Sequence, residues 1–233
     1  MFIFIAKILS SNATYMNTQL KFEDWLKDRL AQQLPGQEAH KKMMHPFRYV
    51  PKSLPTDAKE SAVLLLLLRK EEQLHIVLIE RSKDGSPHSG QIAFPGGRKE
   101  TTDATLYQTA LRESAEEIAL HTQIQFLGAL TPLYIPVSNF NVYPYVAFSE
   151  SKPELEASDA EVARIILAPL AGLFSRKIIK QVPVKAAPNG IIETKAYEVP
   201  EETSFVWGAT GMILSELEVL LEEFHIINSK TIP

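Results

Sequence analysis

The sequence predicts one α/β domain in which helices cover both faces of a mixed β-sheet. Short apolar runs of strand length alternate with amphipathic helical segments, and no linker separates the two halves of the chain. The 233 residues are 45% hydrophobic, which is enough for one large core, and 22% charged, which argues against global disorder. We therefore expect an α/β/α sandwich preceded by an N-terminal amphipathic helix.

The N-terminal helix is predicted over residues 20–34, because apolar side chains recur there at helical spacing until Pro35-Gly36 ends the pattern. We divide the chain into an N-terminal extension with this helix, residues 1–36, and a single domain over residues 37–233. The polar, proline-containing segment 37–60 is predicted to be irregular. The apolar positions of the helix are Phe22, Trp25, Leu26, Leu30 and Leu34.

Two consecutive strands are predicted for the apolar runs 61–68 and 74–79, and the first is apolar enough to be buried on both faces. A polar loop over 81–90 and a short strand over 92–94 follow, and Pro95-Gly96-Gly97 ends that strand. Further strands are expected near residues 124–130, 142–148, 162–167, 178–184, 191–198 and 203–207.

Two more helices are predicted after the glycine pair. The first spans residues 105–119, and Asp103 or Thr102 is its candidate N-cap. The second runs from about residue 209 to residue 225 and places several apolar side chains on one face. These side chains are Ile213, Leu217, Leu220, Leu221 and Phe224.

Composition excludes several kinds of site. The net charge of −4 disfavours nucleic-acid binding, because phosphate backbones need a basic surface. The absence of cysteine excludes disulfides, thiol nucleophiles and zinc–thiolate sites. The apolar segment 1–9 is far shorter than the ~20 residues that span a bilayer. We expect a cytoplasmic protein without membrane attachment, in which residues 1–15 are dispensable. Whether the protein forms a homodimer is left open by the sequence.

The predicted helix 105–119 carries the residues that indicate chemistry. Glu113, Glu116 and Glu117 stand at positions i, i+3 and i+4, which places the three carboxylates on one stripe of the helix. Like charges at these spacings cost about 0.2–0.5 kcal/mol per pair, and a divalent cation would reverse the sign. Carboxylate oxygens are hard ligands, so the stripe predicts Mg²⁺ or Mn²⁺ rather than zinc or copper.

The residues around the stripe support a site for a metal and a phosphate. Gly96 and Gly97 lack a Cβ and can bring backbone close to an ion or a phosphate. Arg112 can hold a carboxylate bidentately, or fasten the preceding loop through Glu100 or Asp103. A charged helix face alone is usually solvated, and a glycine pair alone is usually a turn. Their combination at this spacing is what indicates function.

This combination resembles the Nudix hydrolases, whose box contains an R-E-x-x-E-E core that Arg112-Glu113 and Glu116-Glu117 match through intervening Ser114-Ala115. More narrowly, the chain resembles the coenzyme A diphosphatase branch, in which H-x-G-x-[VI]-x-F-P-G-G precedes the box. Residues 88–97 (HSGQIAFPGG) and 109–113 (TALRE) match that branch. The resemblance covers roughly residues 36–226. It departs at Ala119, where the box has glycine, and at Ser114, where it has an apolar residue.

The resemblance implies hydrolysis of coenzyme A or a derivative to 4′-phosphopantetheine and adenosine 3′,5′-bisphosphate, with Mg²⁺ or Mn²⁺ as cofactor. It implies Glu113, Glu116 and Glu117 as metal ligands, and Arg112 as the residue that orients them during catalysis. Glu161 is a candidate general base, with a plain surface acid as the alternative. Substrate contacts are expected from five residues: Arg81, His88, Gln91, Gly96 and Gly97.

Two other functions stay open at this point. One is a Nudix hydrolase of another nucleoside diphosphate derivative, such as ADP-ribose or NADH. The other is a non-catalytic, nucleotide-binding regulatory domain, which the presence of all three box glutamates disfavours. Tyr134, Tyr143 and Tyr145 are candidates to stack on adenine, although a core role is favoured. Trp25 and Trp207 are interpreted as packing anchors.

Overall fold

The computed structural model describes residues 21–45, 48–49, 51, 53–71, 73–83, 85, 88–175, 180–186, 190–200 and 202–224. The segments 1–9 and 1–15, and residue 225 at the end of the last predicted helix, lie outside these ranges. Within them, no helix is both long and apolar enough to cross a membrane.

The described elements form an α/β arrangement, and their bounds are as follows. The strands are β1 (Lys59–Lys70), β2 (Gln73–Arg81), β3 (Ile92–Ala93), β4 (Gly96–Arg98), β5 (Gln125–Ala129), β6 (Leu133–Ile135), β7 (Phe140–Ser149), β8 (Val162–Pro169), β9 (Lys180–Ala186), β10 (Gly190–Glu198) and β11 (Phe205–Val206). The helices are α1 (Phe22–Leu30), α2 (Gln37–His40), α3 (Leu106–Ile118), α4 (Leu170–Ser175) and α5 (Gly208–Glu223).

Strand β1 organises the larger sheet. One of its edges pairs in parallel with β7, and the other pairs antiparallel with β4 over residues 61–63 and with β2 over residues 67–70. Strands β3 and β8 extend the sheet from β2, and β5 and β6 pair with β7. Strands β9, β10 and β11 form a second, three-stranded sheet. The predicted mixed sheet is confirmed.

Helices cover both faces of this sheet, and the leucine run of β1 joins the two layers. Its even-numbered leucines, Leu64, Leu66 and Leu68, pack in the layer that contains Ala110 and Ile118 of α3. Its odd-numbered leucines, 65 and 67, pack in the layer of α1 and α5. Alternation with period two explains this division, and all five leucines are fully buried. The predicted α/β/α sandwich is therefore confirmed.

Helix α1 packs on the domain and is shorter than the predicted segment 20–34. Its buried side chains Phe22, Leu26 and Leu30 belong to the same core layer as α5. The ring of Trp25 lies 4.6 Å from the ring of Phe224, centroid to centroid. The N-terminal helix therefore contributes to the main core, while the boundary after residue 36 stays a prediction.

Residues 37–40, which belong to the segment 37–60 that was predicted to be irregular, form the short helix α2, and a buried carboxylate holds this helix against α5. Oε1 of Glu216 accepts hydrogen bonds from the Gly36 N–H at 2.8 Å and from Oγ1 of Thr131 at 2.7 Å. Its Oε2 lies 3.1 Å from Nε2 of His40. Burial opposes ionisation of Glu216, but the hydrogen bonds from His40 and Thr131 outweigh it, and the pKa of Glu216 lies below its ordinary value.

Further local features also differ from the sequence predictions. The Gly96-Gly97 pair ends β3 as predicted but also begins β4, because its backbone pairs with β1. Strand β6 was not predicted. The N-cap of α3 is Thr105, whose Oγ1 accepts from the Gln108 N–H while Oε1 of Gln108 accepts from the Thr105 N–H, both at 3.2 Å. Asp103 is not the cap, because its carboxylate binds Arg112.

The two departures from the Nudix box have different structural consequences. Ala119 ends α3 with φ 51° and ψ 37°, in the left-handed region where a glycine is favoured. For an alanine this conformation costs roughly 1–2 kcal/mol. Ser114 is fully buried, and its Oγ donates a hydrogen bond to the carbonyl of Ala110 at 2.7 Å. The serine is therefore satisfied, whereas the alanine is strained.

The strain at Ala119 predicts that Ala119→Gly raises the free energy of unfolding by about 1 kcal/mol, because glycine adopts this conformation freely. Chemical denaturation without added metal measures the change. The matched control is Ala115→Gly within α3, which is expected to lower the free energy of unfolding by about 1 kcal/mol. A loss of stability in Ala119→Gly would contradict the strain.

Candidate active site

Glu117 is the most buried carboxylate of the predicted stripe. Its side chain is 1% exposed, on the face of α3 that packs against β1 and β4. Its Oε2 accepts a hydrogen bond from the Gly96 N–H at 2.8 Å, and Nη1 of Arg81 donates to its Oε1 at 3.3 Å. Helix α3 therefore aims this carboxylate at the glycine pair and at the end of β2.

Burial raises the pKa of the two most buried glutamates of the stripe, Glu113 and Glu117. Loss of solvent raises the pKa of Glu117 to about 7, although the Gly96 N–H and Arg81 act in the opposite direction. Loss of solvent also raises the pKa of Glu113, against the attraction of Arg112. The charges of Glu113 and Glu161 raise the pKa of Glu117 further. The site therefore concentrates negative charge where little water can stabilise it.

Arg112 joins the outer side of the helix to the loop before it. Its Nε and Nη2 each donate to the carboxylate of Asp103 at 3.1 Å, and Nη2 also donates to the carbonyl of Arg98 at 3.0 Å. Its Nη1 lies 3.0 Å from Oε1 of Glu113 and 2.9 Å from Oε2 of Glu116. The guanidinium holds the pKa of Asp103 far below its usual range. Of the two predicted partners, Asp103 makes the contact.

The three glutamates of the stripe have unequal surroundings. The Glu117 side chain is 1% exposed, that of Glu113 is 15% exposed, and that of Glu116 is 58% exposed. Among the residues that the structure describes, no three histidine or acidic side chains already surround a common point. The Arg112 contacts to Glu113 and Glu116 explain part of this, because they draw those carboxylates toward the guanidinium.

Gly96 and Gly97 are required for two different reasons. A Cβ on Gly96 would overlap the carbonyl oxygen of Ala62 and lie 2.6 Å from Cα of Val63, and the residue has φ 149°. A Cβ on Gly97 would overlap the carboxylate of Glu113. Gly96 therefore allows β4 to approach β1, and Gly97 leaves room for Glu113 beside bare backbone.

The glycine pair also lines a cleft of about 800 Å³. All five predicted substrate contacts line it: Arg81, His88, Gln91, Gly96 and Gly97. Nδ1 of His88 lies 3.3 Å from Oε1 of Gln91, a contact that requires the proton on Nδ1. The structure thus brings Arg81 and Gly97, which are 16 positions apart in the chain, to the same cleft.

The cleft is also lined by residues that were not predicted from the sequence to contact the substrate, among them Arg48, Arg98 and Trp207. Arg48 lies in the segment 37–60, where no motif drew attention to it. Trp207 was interpreted only as a packing anchor, but it is half-buried at the start of α5 and faces the cleft. A positive charge directly after the glycine pair was the signal that could have identified Arg98.

Two other predictions concern residues that do not themselves line the cleft. Glu161 is exposed, and its carbonyl accepts a hydrogen bond from the Ser82 N–H at 2.9 Å, next to Arg81. Its charge acts on both Glu113 and Glu117. The predicted tyrosines do not line the cleft, and Tyr145 packs against Tyr107 with ring centroids 5.4 Å apart.

Comparison with known proteins agrees with this geometry. The NUDIX domain profile matches residues 58–187, which include β1, the glycine pair and α3. The chain belongs to the Nudix hydrolase family. It is 31% identical over 176 residues to a protein of Pectobacterium atrosepticum named as an uncharacterised Nudix hydrolase, NudL, with 75% of this chain and 90% of that protein covered. A NudL of Photorhabdus laumondii is 32% identical over 168 residues, covering 72% of this chain and 87% of the relative.

Solved Nudix structures give partial matches. The NUDIX domain of Shewanella oneidensis NrtR, complexed with ADP ribose, is 25% identical, with a TM-score of 0.41 and coverage of 53% of this chain and 80% of that one. The Nudix hydrolase RenU of M. smegmatis is 13% identical, with a TM-score of 0.46 and coverage of 75% and 91%. The family assignment is based on the profile and the NudL relatives.

The glycine pair of this Nudix protein yields a paired prediction. Gly97→Ala is expected to keep the fold but displace Glu113, and to lower hydrolytic activity by about 100-fold, as misplacement of about 1 Å in a site can do. Gly96→Ala is expected to lower the free energy of unfolding by about 1–3 kcal/mol, because its Cβ meets backbone of β1. Thermal unfolding and activity assays separate the effects. Full activity in Gly97→Ala would contradict the assigned position of Glu113.

Proposed function

We propose that this Nudix hydrolase cleaves the diphosphate of coenzyme A or its derivatives to 4′-phosphopantetheine and adenosine 3′,5′-bisphosphate. One observation carries the proposal: segment 88–97, which resembles the coenzyme A diphosphatase branch, forms a wall of the cleft, and its Gly96 N–H donates to the buried carboxylate of Glu117. The cleft is also lined by Arg48, Arg81 and Arg98, although the whole chain has a net charge of −4. Concentrated cations in one cleft suit an anionic, diphosphate-containing ligand.

The donor set at α3 fits Mg²⁺ or Mn²⁺. Glu113 and Glu117 present hard carboxylate oxygens, and their mutual repulsion and burial are what a divalent cation would relieve. The missing Cβ of Gly97 keeps the space beside Glu113 open. Glu113 and Glu117 would hold the ion, with Glu116 as a third ligand. When bound, the metal would neutralise phosphate charge and lower the pKa of a water.

The protein groups have distinct tasks in this mechanism. Arg112 orients Glu113 and Glu116 and is itself held by Asp103, so the glutamate geometry depends on that loop. Arg81 reaches both the cleft and Glu117, a position from which it can bind a phosphate oxygen next to the carboxylates. His88 and Gln91 can orient the substrate from the same wall.

Glu161 is the proposed general base. Its charge acts on both Glu113 and Glu117, and its side chain is exposed to solvent. In this role it would accept the proton of the attacking water, which requires that water to lie within hydrogen-bond distance of its carboxylate. The cytoplasmic location of the protein and its assembly into a homodimer are also predictions.

Product analysis with coenzyme A tests the proposed reaction directly. Incubation with Mg²⁺ or Mn²⁺ is expected to yield 4′-phosphopantetheine and adenosine 3′,5′-bisphosphate, identified by mass spectrometry. Parallel assays with ADP-ribose and NADH compare kcat/KM among diphosphate substrates. If kcat/KM for ADP-ribose or NADH exceeds kcat/KM for coenzyme A, that compound and not coenzyme A is the preferred substrate. Thermal stabilisation by nucleotides without turnover of any of them would indicate a regulatory domain.

The metal assignment predicts the behaviour of Glu117→Gln. The amide carbonyl can still accept from the Gly96 N–H, so the variant is expected to fold. Turnover is expected to fall by at least about 100-fold, because even partners of metal ligands change affinity or activity by about 10- to 100-fold. Added Mn²⁺ is expected to raise the Tm of the wild type and not that of the variant.

The matched control is Glu150→Gln, an exposed position after β7. It is expected to retain both turnover and the Mn²⁺-dependent rise in Tm, because its carboxylate contacts none of the site. Unchanged turnover in Glu117→Gln would exclude the proposed metal ligands.

A further inference from the structure

Arg48 is a cation that lines the cleft and contacts β6. Its Nη2 donates a hydrogen bond to the carbonyl of Tyr134 in β6 at 2.5 Å, and the half-buried side chain lines the cleft. Among the described residues it forms no ion pair, whereas Arg81 and Arg112 each contact carboxylates. Arg48 therefore brings positive charge into the cleft that no described carboxylate balances.

The register of the sheet gives the separation between β6, which Arg48 contacts, and the glycine strand β4. Arg98 of β4 is opposite Ser61 of β1, Ser61 is opposite Val142 of β7, and Val142 is opposite Leu133 of β6. Three strand spacings of about 4.8 Å therefore separate the glycine strand from β6, roughly 14 Å.

One phosphate group cannot contact both ends of this span. A diphosphate held beside Arg81 and the glycine pair leaves Arg48 without an anionic partner unless the same ligand carries a second anionic group. The floor between the two ends includes the apolar side chains of Ile135, Phe140 and Val142. This surface suits the sugar and base of a nucleoside better than a chain of charged groups.

We propose that Arg48 binds a phosphomonoester on the ribose of the substrate, so that the enzyme selects diphosphates that carry this additional phosphate. The inference rests on the proposed function and deepens it, because it names what distinguishes the preferred substrate from other nucleoside diphosphate derivatives. A 3′-phosphate, as in coenzyme A, and a 2′-phosphate, as in NADPH, share this chemistry. Partial burial and the planar guanidinium favour bidentate binding of the phosphate.

Two substrate pairs that differ only in this phosphate test the inference. Wild-type kcat/KM is expected to be at least about tenfold higher for coenzyme A than for dephospho-coenzyme A, or for NADPH than for NADH, as expected for a charge-assisted hydrogen bond. The pair with the larger ratio identifies the position of the phosphate. Ratios near one in both pairs would overturn the proposal.

Arg48→Gln is the main variant, because its amide can still donate to the Tyr134 carbonyl while the positive charge is lost. The ratio within the selective pair is expected to fall to about one, and Arg48→Lys is expected to restore part of it. Arg98→Gln, which removes a charge at the glycine strand, serves as the control and is expected to leave the ratio intact. Thermal unfolding checks that each variant folds.

The outcomes separate this inference from the proposed function. Hydrolysis of all four substrates with equal losses in Arg48→Gln would leave the diphosphatase intact and show that Arg48 only supports β6. Failure of the wild type to hydrolyse any of them in Mg²⁺ or Mn²⁺ would instead remove the proposed function, and the inference with it.

Discussion

A carboxylate that is almost completely removed from water is the constraint on which the rest of the site depends. Burial of an ionised group disfavours the folded state unless donors or opposite charges compensate it. For Glu117 the Gly96 N–H and Arg81 compensate only in part, and its pKa stays near 7. The fold therefore maintains an unfavourable charge at a defined position, which is typical of a functional site rather than of a stabilising contact.

The core and the loop before α3 together keep that position. The fully buried leucines of β1 hold α3 against one face of the sheet, and the register of β4 on β1 sets the Gly96 amide beside Glu117. On the outer side, Arg112 joins Asp103, the Arg98 carbonyl and two glutamates. The stability of the domain and the geometry of the carboxylates therefore share the same elements.

Charge is distributed unevenly between the surface and the cleft. The chain is acidic overall, yet arginines from three segments line a single cleft, and one of them, Arg81, also contacts Glu117. Net charge governs solubility and non-specific binding, whereas the local field within a cleft governs which ligand enters it. A negative net charge, which disfavours nucleic-acid binding, is therefore compatible with a cleft that binds a smaller phosphorylated ligand.

The sequence by itself determined the sheet's central strand, the two main helices and the box residues Arg112, Glu113 and Glu117, because hydrophobic period and local spacing depend on neighbours in the chain. It did not determine that Thr105 caps α3, that glycines form β4, or that Arg48 and Trp207 face the cleft. Those features depend on strand register and on contacts between distant segments. Only tertiary structure decides which side chains lose water, and so which carboxylate has a raised pKa.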